Sequence, residues 1–469
     1  MSENGHATGD DVIDASGAHL ENEQERLAFS KVVRRLVPIL FAGYAIAYLD
    51  RVNVGFAKLQ MAGDLQFSDA VYGFGAGIFF LGYFLFEVPS NLVLRRVGAR
   101  RWIARIMISW GMISAGFMFV GDLHWGPVSG LFGISDTEFS FFLFRFLLGV
   151  AEAGFYPGVI FYLTCWFPPA RRAQVIAMFM ASIPITAAVG APLNGAIMQY
   201  FNGIQDMRGW QWLFLLEGLP AVFLGFFVLA RLPDSPQEAK WLSTNERSLI
   251  EARLAVGNDR KSTSSHHEMF LKVLTDWRIW LLIVAYFCAN IGGYATSFWG
   301  PTIVQEIGID SQNYLFIGLL MILPYGGATL IMLIWARHSD KTGERKWHST
   351  LAALLLATGL LLLALAGDQP IPALLGIGLV TAGMMTWLSI FWSIPTAFLS
   401  GSAAAGGIAL INAFANLGGY IGPGLVGSIR DANGGDATQA FLVLGGFALI
   451  TAVLSFYVTS RNEVTTIRR

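Results

Sequence analysis

Six ionisable side chains lie inside long apolar runs: Asp50, Arg51, Glu87, Arg145, Glu152 and Glu217. Charge in such surroundings is costly and usually serves a function. Arg51 is a permanent cation whose planar fork can grip a carboxylate. Asp50 can be neutralised by a proton when it is desolvated. Neighbours on a helix point about 100° apart, so the two need not pair with each other. The structural alternative is that both anchor their helix to others. Arg145 and Glu152 are seven residues apart, which puts them on one helix face with Gly149 between them. Their separation along the axis is roughly 10 Å. Burial and a nearby cation act in opposite senses on the proton affinity of Glu152, so a bound anion or Arg145 could change its protonation. The alternative is a static salt bridge. Glu87 is expected to pair with the basic loop that follows it and to belong to a gate, and Glu217 is expected to be structural. The histidines (His6, His19, His124, His266, His267, His338 and His348) lie outside the apolar runs or, for His348, at the very start of one. A proton path through those runs must therefore use carboxylates, which leaves Asp50 and Glu152.

These residues need elements that hold them in an apolar medium. Only 13% of the 469 residues are charged, against about 25% in ordinary soluble proteins. Apolar residues reach 54%, aromatic residues 13%, and the mean hydropathy is +0.55. That composition excludes a disordered chain, a coiled coil and a small disulfide scaffold, and it disfavours a soluble enzyme. Cys165 and Cys288 are far apart and offer neither a disulfide framework nor zinc spacing. Twelve apolar stretches are long enough to span a bilayer, near 33–57, 70–94, 102–120, 139–166, 173–201, 211–231, 277–302, 314–337, 347–366, 371–398, 402–430 and 438–460. Residues 1–30 are polar and acidic and lack the pattern of a signal peptide, so they read as a disordered cytoplasmic tail.

Placing both termini in the cytoplasm puts 26 Lys and Arg on that side and only Lys58, Arg208 and Arg430 on the other. The chain also repeats itself. Arg95-Arg96-Val97-Gly98-Ala99-Arg100-Arg101-Trp102 and Asp340-Lys341-Thr342-Gly343-Glu344-Arg345-Lys346-Trp347 lie 245 residues apart, with Gly, Arg and Trp in register. Gly190-Ala191-Pro192 with Gly195 is echoed by Gly422-Pro423 with Gly427. The expected fold is an all-α membrane protein with twelve transmembrane helices in two six-helix halves around a central cavity. Its parts are residues 31–231, a cytoplasmic connector over 232–276, residues 277–460, and a cytoplasmic tail over 461–469. In the connector, Ser243 and Glu246 form a capping-box pattern. Parallel halves of this kind describe a secondary transporter. The Gly73, Gly75 and Gly77 series lies in an apolar run and reads as close helix packing, not as a phosphate loop. No P-loop, GxSxG or HExxH motif occurs, so neither ATP drive nor hydrolysis is supported.

The basic loop, its copy and the Gly/Pro-rich fifth span resemble the major facilitator superfamily over nearly all of residues 33–460. The basic loops would pair with acidic helix ends and latch the halves on the inside, through Glu87, Arg96, Gly98, Arg100, Asp340, Gly343 and Arg345; equally, they would serve as topology signals. The pattern Tyr48-x-Asp50-Arg51-x-Asn53 with Arg145-x-x-x-Gly149-x-x-Glu152 resembles the anion:cation symporter family. So do the connector stretch from Leu232 to Leu242, Phe391-Trp392-Ser393-Ile394-Pro395, and Gly406-Gly407 through Asn412. The match is better to the bacterial permeases of tartrate, phthalate and hydroxyphenylacetate-type acids than to the vesicular animal branch, whose extra histidine in the fourth span is missing. That resemblance implies proton-coupled uptake of organic anions. It carries substrate binding to Arg51, Tyr83 and Asn412, and proton coupling to Asp50 and Glu152 with Arg145 tuning Glu152.

The seventh span adds Asn290, Tyr294, Ser297 and Trp299, and the tenth adds Thr386, Trp387, Ser389, Trp392 and Ser393. Aromatic walls suit a ring and hydroxyls suit a sugar acid, although most membrane aromatics simply pack. Tyr294 and Trp392 are the substrate-binding candidates among them. The expected partners are a small organic anion, protons and the lipid bilayer, with no nucleic acid, no metal and no cofactor, in a monomer of the cell inner membrane. Import of an aromatic acid, a tartrate-like acid or a sugar acid is the leading expectation. A uniporter, a proton-antiport exporter and a non-transporting sensor on the same scaffold are the alternatives.

Overall fold

A computed structural model of the chain describes residues 23–258, 275–310, 312–398 and 401–466. Among them, twelve helices are long and apolar enough to cross a membrane. They are α1 (Glu23–Asp64), α2 (Asp69–Leu94), α3 (Ala99–Phe119), α4 (Asp136–Thr164), α5 (Pro169–Tyr200) and α6 (Gly209–Arg231), followed by α7 (Trp277–Glu306), α8 (Tyr314–Thr342), α9 (Lys346–Ala366), α10 (Pro370–Pro395), α11 (Gly407–Ala432) and α12 (Thr438–Thr459). No strand occurs among the described residues. The even number of crossings puts the two ends of the chain on one face, called here the terminal face.

Most helices outrun their apolar stretches because polar residues continue them. The helix α1 starts at Glu23, within the segment expected to be a tail, and carries Glu23 and Glu25 in its first turn, where acids suit the helix dipole. Residues 1–22 lie outside the described residues, as do 259–274 of the connector and 467–469 of the C-terminal tail. In the described part of the connector, the helix Thr244–Asn258 has the expected capping box. The Ser243 N–H donates to Glu246 (2.7 Å), and the Glu246 N–H donates to Ser243 Oγ (3.2 Å). Two ion pairs tie this helix to the start of α1, Lys31–Glu246 (2.8 Å) and Arg253–Glu25 (2.9 Å).

Two features bear on the site. First, α4 is interrupted after Glu152, where Gly154 takes φ +88°, a left-handed conformation that favours glycine. Glu152 therefore ends one helical segment inside the bundle. Second, the halves meet closely on the face opposite the termini. A Cβ at Gly73 or Gly77 of α2 would collide with the Pro423 or Tyr420 carbonyl of α11. Gly195 of α5 touches the Tyr314 carbonyl at the start of α8, and Gly318 of α8 touches the Ala191 carbonyl of α5. Small residues allow backbones this close, as in other membrane helix pairs. Both repeated loops place a glycine at positive φ, Gly98 at +94° and Gly343 at +68°, although only Gly343 is in the left-handed helical region.

Candidate functional site

Arg51 points from α1 into the interface between the halves, not toward lipid. It forms an ion pair with Glu152 of α4, which is buried. Its guanidinium lies 5.3 Å from the Phe79 ring and 5.5 Å from the Tyr83 ring, both on α2. Tyr294, from the other half, sits beside the same guanidinium. One donor, Arg51 Nε, is buried without an acceptor, while 13% of the side chain remains accessible. A cation with a spare donor, set among aromatic rings, is built to take an additional anionic acceptor.

The helical spacing of Arg145 and Glu152 puts them near each other, but it is Arg51 that faces the Glu152 carboxylate. Arg145 is 0% exposed and turns toward α2, donating to the carbonyls of Gly75 (3.3 Å) and Ala76 (3.0 Å). Its guanidinium lies 5.1 Å from the Phe79 ring, so Arg51 and Arg145 flank one phenyl group. Asp50 points away from Arg51, into the first half, where it is buried. Ser114 of α3 donates to it, and so does Asn53 Nδ2, at 3.2 Å.

The candidate substrate residues fall in two groups. Tyr83 and Tyr294 border Arg51. Asn412 of α11 donates to Glu87 Oε1 (3.4 Å) across the halves. Glu87 therefore faces the other half and not the basic loop after α2. Trp392 sits at the interruption of α10, in an aromatic cluster with Tyr286 (5.7 Å between ring centroids) and Phe391 (5.2 Å). Tyr44, Tyr156 and Tyr286 also gather near Arg51 and Tyr294, and the sequence reading passed over them. Tyrosine inside an apolar helix, with a polar tip that needs a partner, was the available signal.

The basic loops engage their own surroundings in this conformation. The Arg100 N–H donates to Asp234 of the connector (2.7 Å), and its guanidinium lies 3.7 Å from the same carboxylate. Arg345 binds Asp340 (2.7 Å) and Ser339 Oγ (2.7 Å), and Arg96 is exposed. Charge links between the halves lie instead on the opposite face. Asp69, at the start of α2, binds Lys58 of α1 (2.9 Å) and Arg430 of α11 (2.7 Å). Arg430 also binds Glu306 of α7 (2.6 Å). Asp431 accepts from the N–H groups of Asp69 (3.0 Å) and Ala70 (2.9 Å), which caps α2 from the other half. Lys58 and Arg430 stand out in the sequence as cations on the sparsely charged face, but nothing there pairs them.

Two six-helix halves closed together on one face, with a buried cation and carboxylates between them, define a membrane transporter rather than an enzyme. The chain matches the description Major Facilitator Superfamily over residues 40–406, and it belongs to that family. It is 45% identical over 439 residues to an Agrobacterium vitis protein named as a tartrate transporter, covering 93% of this chain and 96% of that one. It is 41% identical to a Pseudomonas putida protein named as the metabolite transport protein NicT, covering 94% and 97%. It is 37% identical to a protein named Quinolone resistance transporter from Acinetobacter baumannii, covering 94% and 96%. Among solved structures, a D-xylose-proton symporter superposes with a TM-score of 0.70 at 15% identity, covering 90% and 96%, a likeness of fold alone.

Proposed function

We propose that the protein imports a small organic carboxylate together with protons across the cell inner membrane. The observation that carries this reading is the Arg51 guanidinium, paired on one side with Glu152 and left with an unsatisfied buried donor. A substrate carboxylate and the Glu152 carboxylate compete for the same cation. Putting a proton on Glu152 removes the competitor, so the anion and the proton are taken up together. When the proton leaves Glu152, the carboxylate reclaims Arg51 and the substrate is released. Asp50 is the second proton carrier, and Arg145, held against the α2 carbonyls, sets the field in which both titrate. The name of the Agrobacterium vitis relative supports a tartrate-like substrate, and the aromatic rings beside Arg51 would also suit an aromatic acid.

The positive-inside bias places the terminal face in the cytoplasm. The glycine seams and the Asp69–Arg430 network then close the outside, and the site releases its cargo inward from this conformation. Substrate specificity follows from Tyr83 and Tyr294, which border the cation from both halves, with Asn412 at Glu87 and Trp392 in the Tyr286 cluster contributing further along the interface. The basic loops with Glu87 act on the inner side when the halves close there, and the protein works as a monomer.

Export of an anion is the second reading; the Acinetobacter baumannii relative, named a quinolone resistance transporter, keeps an outward direction open. Purified protein in proteoliposomes with labelled tartrate distinguishes the two. Import coupled to protons gives uptake that rises when the side opposite the termini is acid and collapses with an uncoupler. Uptake indifferent to the pH gradient would overturn proton coupling, and loss of preloaded tartrate against that gradient would favour export.

A further inference from the structure

We propose that Glu217 of α6 is a third proton-carrying carboxylate, linked to Asp50 through Asn53 and to the small cavity between the halves through Asn194. This inference rests on the proton-symport reading above and extends its proton path.

The geometry is specific. Glu217 is 2% exposed and sits inside the first half, where α1, α3 and α5 pack on α6. The groups that face it are Asn53 and Asp50 from α1 and Asn194 from α5. From α3, the close contacts to the adjacent Gly218 are the backbone of Gly111 and Ala115. With its amide oriented to satisfy both neighbours, Asn194 Nδ2 donates to Glu217 Oε1 (2.5 Å) and to the Gly190 carbonyl (2.8 Å). The other oxygen, Oε2, has no hydrogen-bond partner, and no cation among the described residues pairs with this carboxyl group. Asn53 is a neighbour of Glu217, and its own Oδ1 also has no donor. Its Nδ2 is committed to Asp50.

Two orphaned oxygens in one buried polar cluster are both acceptors, and a single hydrogen supplies both. A proton on Glu217 Oε2 donates to Asn53 Oδ1, and it removes a buried charge that nothing neutralises. A permanently ionised carboxylate at this place would need a cation or a full set of donors, and it has neither. The way in is also visible. Asn194 lines a small cavity with Tyr48, Thr186, Ser297 and Tyr325, at the junction of α1, α5, α7 and α8. That junction spans both halves, so alternation between the two access states opens and closes it. Glu217 therefore holds a proton while the opposite face is closed. It exchanges that proton with water in the cavity when the α5–α8 seam parts, and Asn53 joins its protonation to that of Asp50.

The test is infrared difference spectroscopy on the full-length protein in lipid vesicles, titrated from alkaline to acid. Wild type should show the carbonyl stretch of a protonated carboxyl group that Glu217→Gln lacks, and that band should gain intensity on acidification. Asn53→Ala leaves the carboxyl group in place and removes its acceptor, so it should shift the same band to higher frequency. Because Asn53 also bonds Asp50, Glu217→Asp, which keeps a carboxyl group at this position, provides the assignment if Glu217→Gln fails to fold: it should move the band rather than abolish it. An unchanged set of carboxyl bands in Glu217→Gln, or a band that Asn53→Ala does not move, overturns the proposal. A band that is present but constant across the titration overturns it as well, since a group that never titrates carries no protons. Proton uptake during tartrate import by wild type, read with a pH dye, checks the symport reading separately. If tartrate moves without protons, that reading fails whatever the infrared result.

Discussion

At the scale of single residues, the proposed competition between Glu152 and substrate for Arg51 is separately testable at each end. Arg51→Ala should abolish tartrate binding by isothermal calorimetry. Arg51→Lys keeps the charge but loses the planar fork. Losing hydrogen bonds to a charged group is worth about 1.5–3 kcal/mol, so binding should weaken roughly tenfold to a hundredfold. Glu152→Gln should still exchange labelled for unlabelled tartrate yet fail to accumulate it against a gradient, and normal accumulation would remove Glu152 from the proton path. The sequence showed these residues because charge inside an apolar run is conspicuous on its own. It did not show who faces whom. Spacing within α4 places Arg145 near Glu152, but the bonds of Arg145 go to the carbonyls of Gly75 and Ala76 on α2. Contacts between helices have no signature in the periodicity of either one. Glu217 illustrates the same limit, because its environment comes from Asn53 on α1 and Asn194 on α5.

Helices were the most legible level, since twenty apolar residues announce a span without any knowledge of its neighbours. Their ends were less so. The apolar count stopped α1 short at its first end, where Glu23 and Glu25 carry the helix outward. The capping box at Ser243 was legible because both of its partners are local. What the box does is not local: Glu246 also binds Lys31, which holds the connector helix against α1. The Lys31 hydrogen bond, helped by the Ser243 backbone, holds the Glu246 carboxyl below the usual carboxylate range. A lowered value means that its contribution to docking is complete above the ordinary range and is lost as the pH falls through the lowered value. Hydrogen exchange should therefore show the helix Thr244–Asn258 loosening in acid. Glu246→Gln keeps a capping side chain but loses the charge that Lys31 binds, so it should show weaker protection than wild type at neutral pH, by the roughly 0.2–1 kcal/mol of an exposed ion pair. Equal protection in the two proteins would mean that docking rests on Arg253–Glu25 alone.

The halves of the whole molecule are related by a repeat that the sequence displays in its two basic loops, and each loop carries a glycine at positive φ. The charged network on the opposite face was not legible. Lys58, Asp69, Glu306 and Arg430 stand at the ends of four different apolar runs and read there as boundary charges. Brought together, they link the two halves on that face. Arg430→Ala removes partners from both Asp69 and Glu306 and should shift the molecule toward opening on that face. Labelling of a Ser297→Cys probe by an impermeant maleimide from the face opposite the termini should then rise about tenfold, as expected from losing about 1.5 kcal/mol of charged hydrogen bonding. Unchanged labelling would assign closure to the glycine seams instead. The claim on which the transport cycle depends is that a substrate anion displaces Glu152 from Arg51 only as Glu152 takes a proton. The most direct measurement is the proton balance of tartrate binding to the purified protein in weakly buffered solution. The expected result is that wild type takes up protons as tartrate binds, while Glu152→Gln binds tartrate with none. Binding by wild type without proton uptake, or the same uptake in Glu152→Gln, would contradict it.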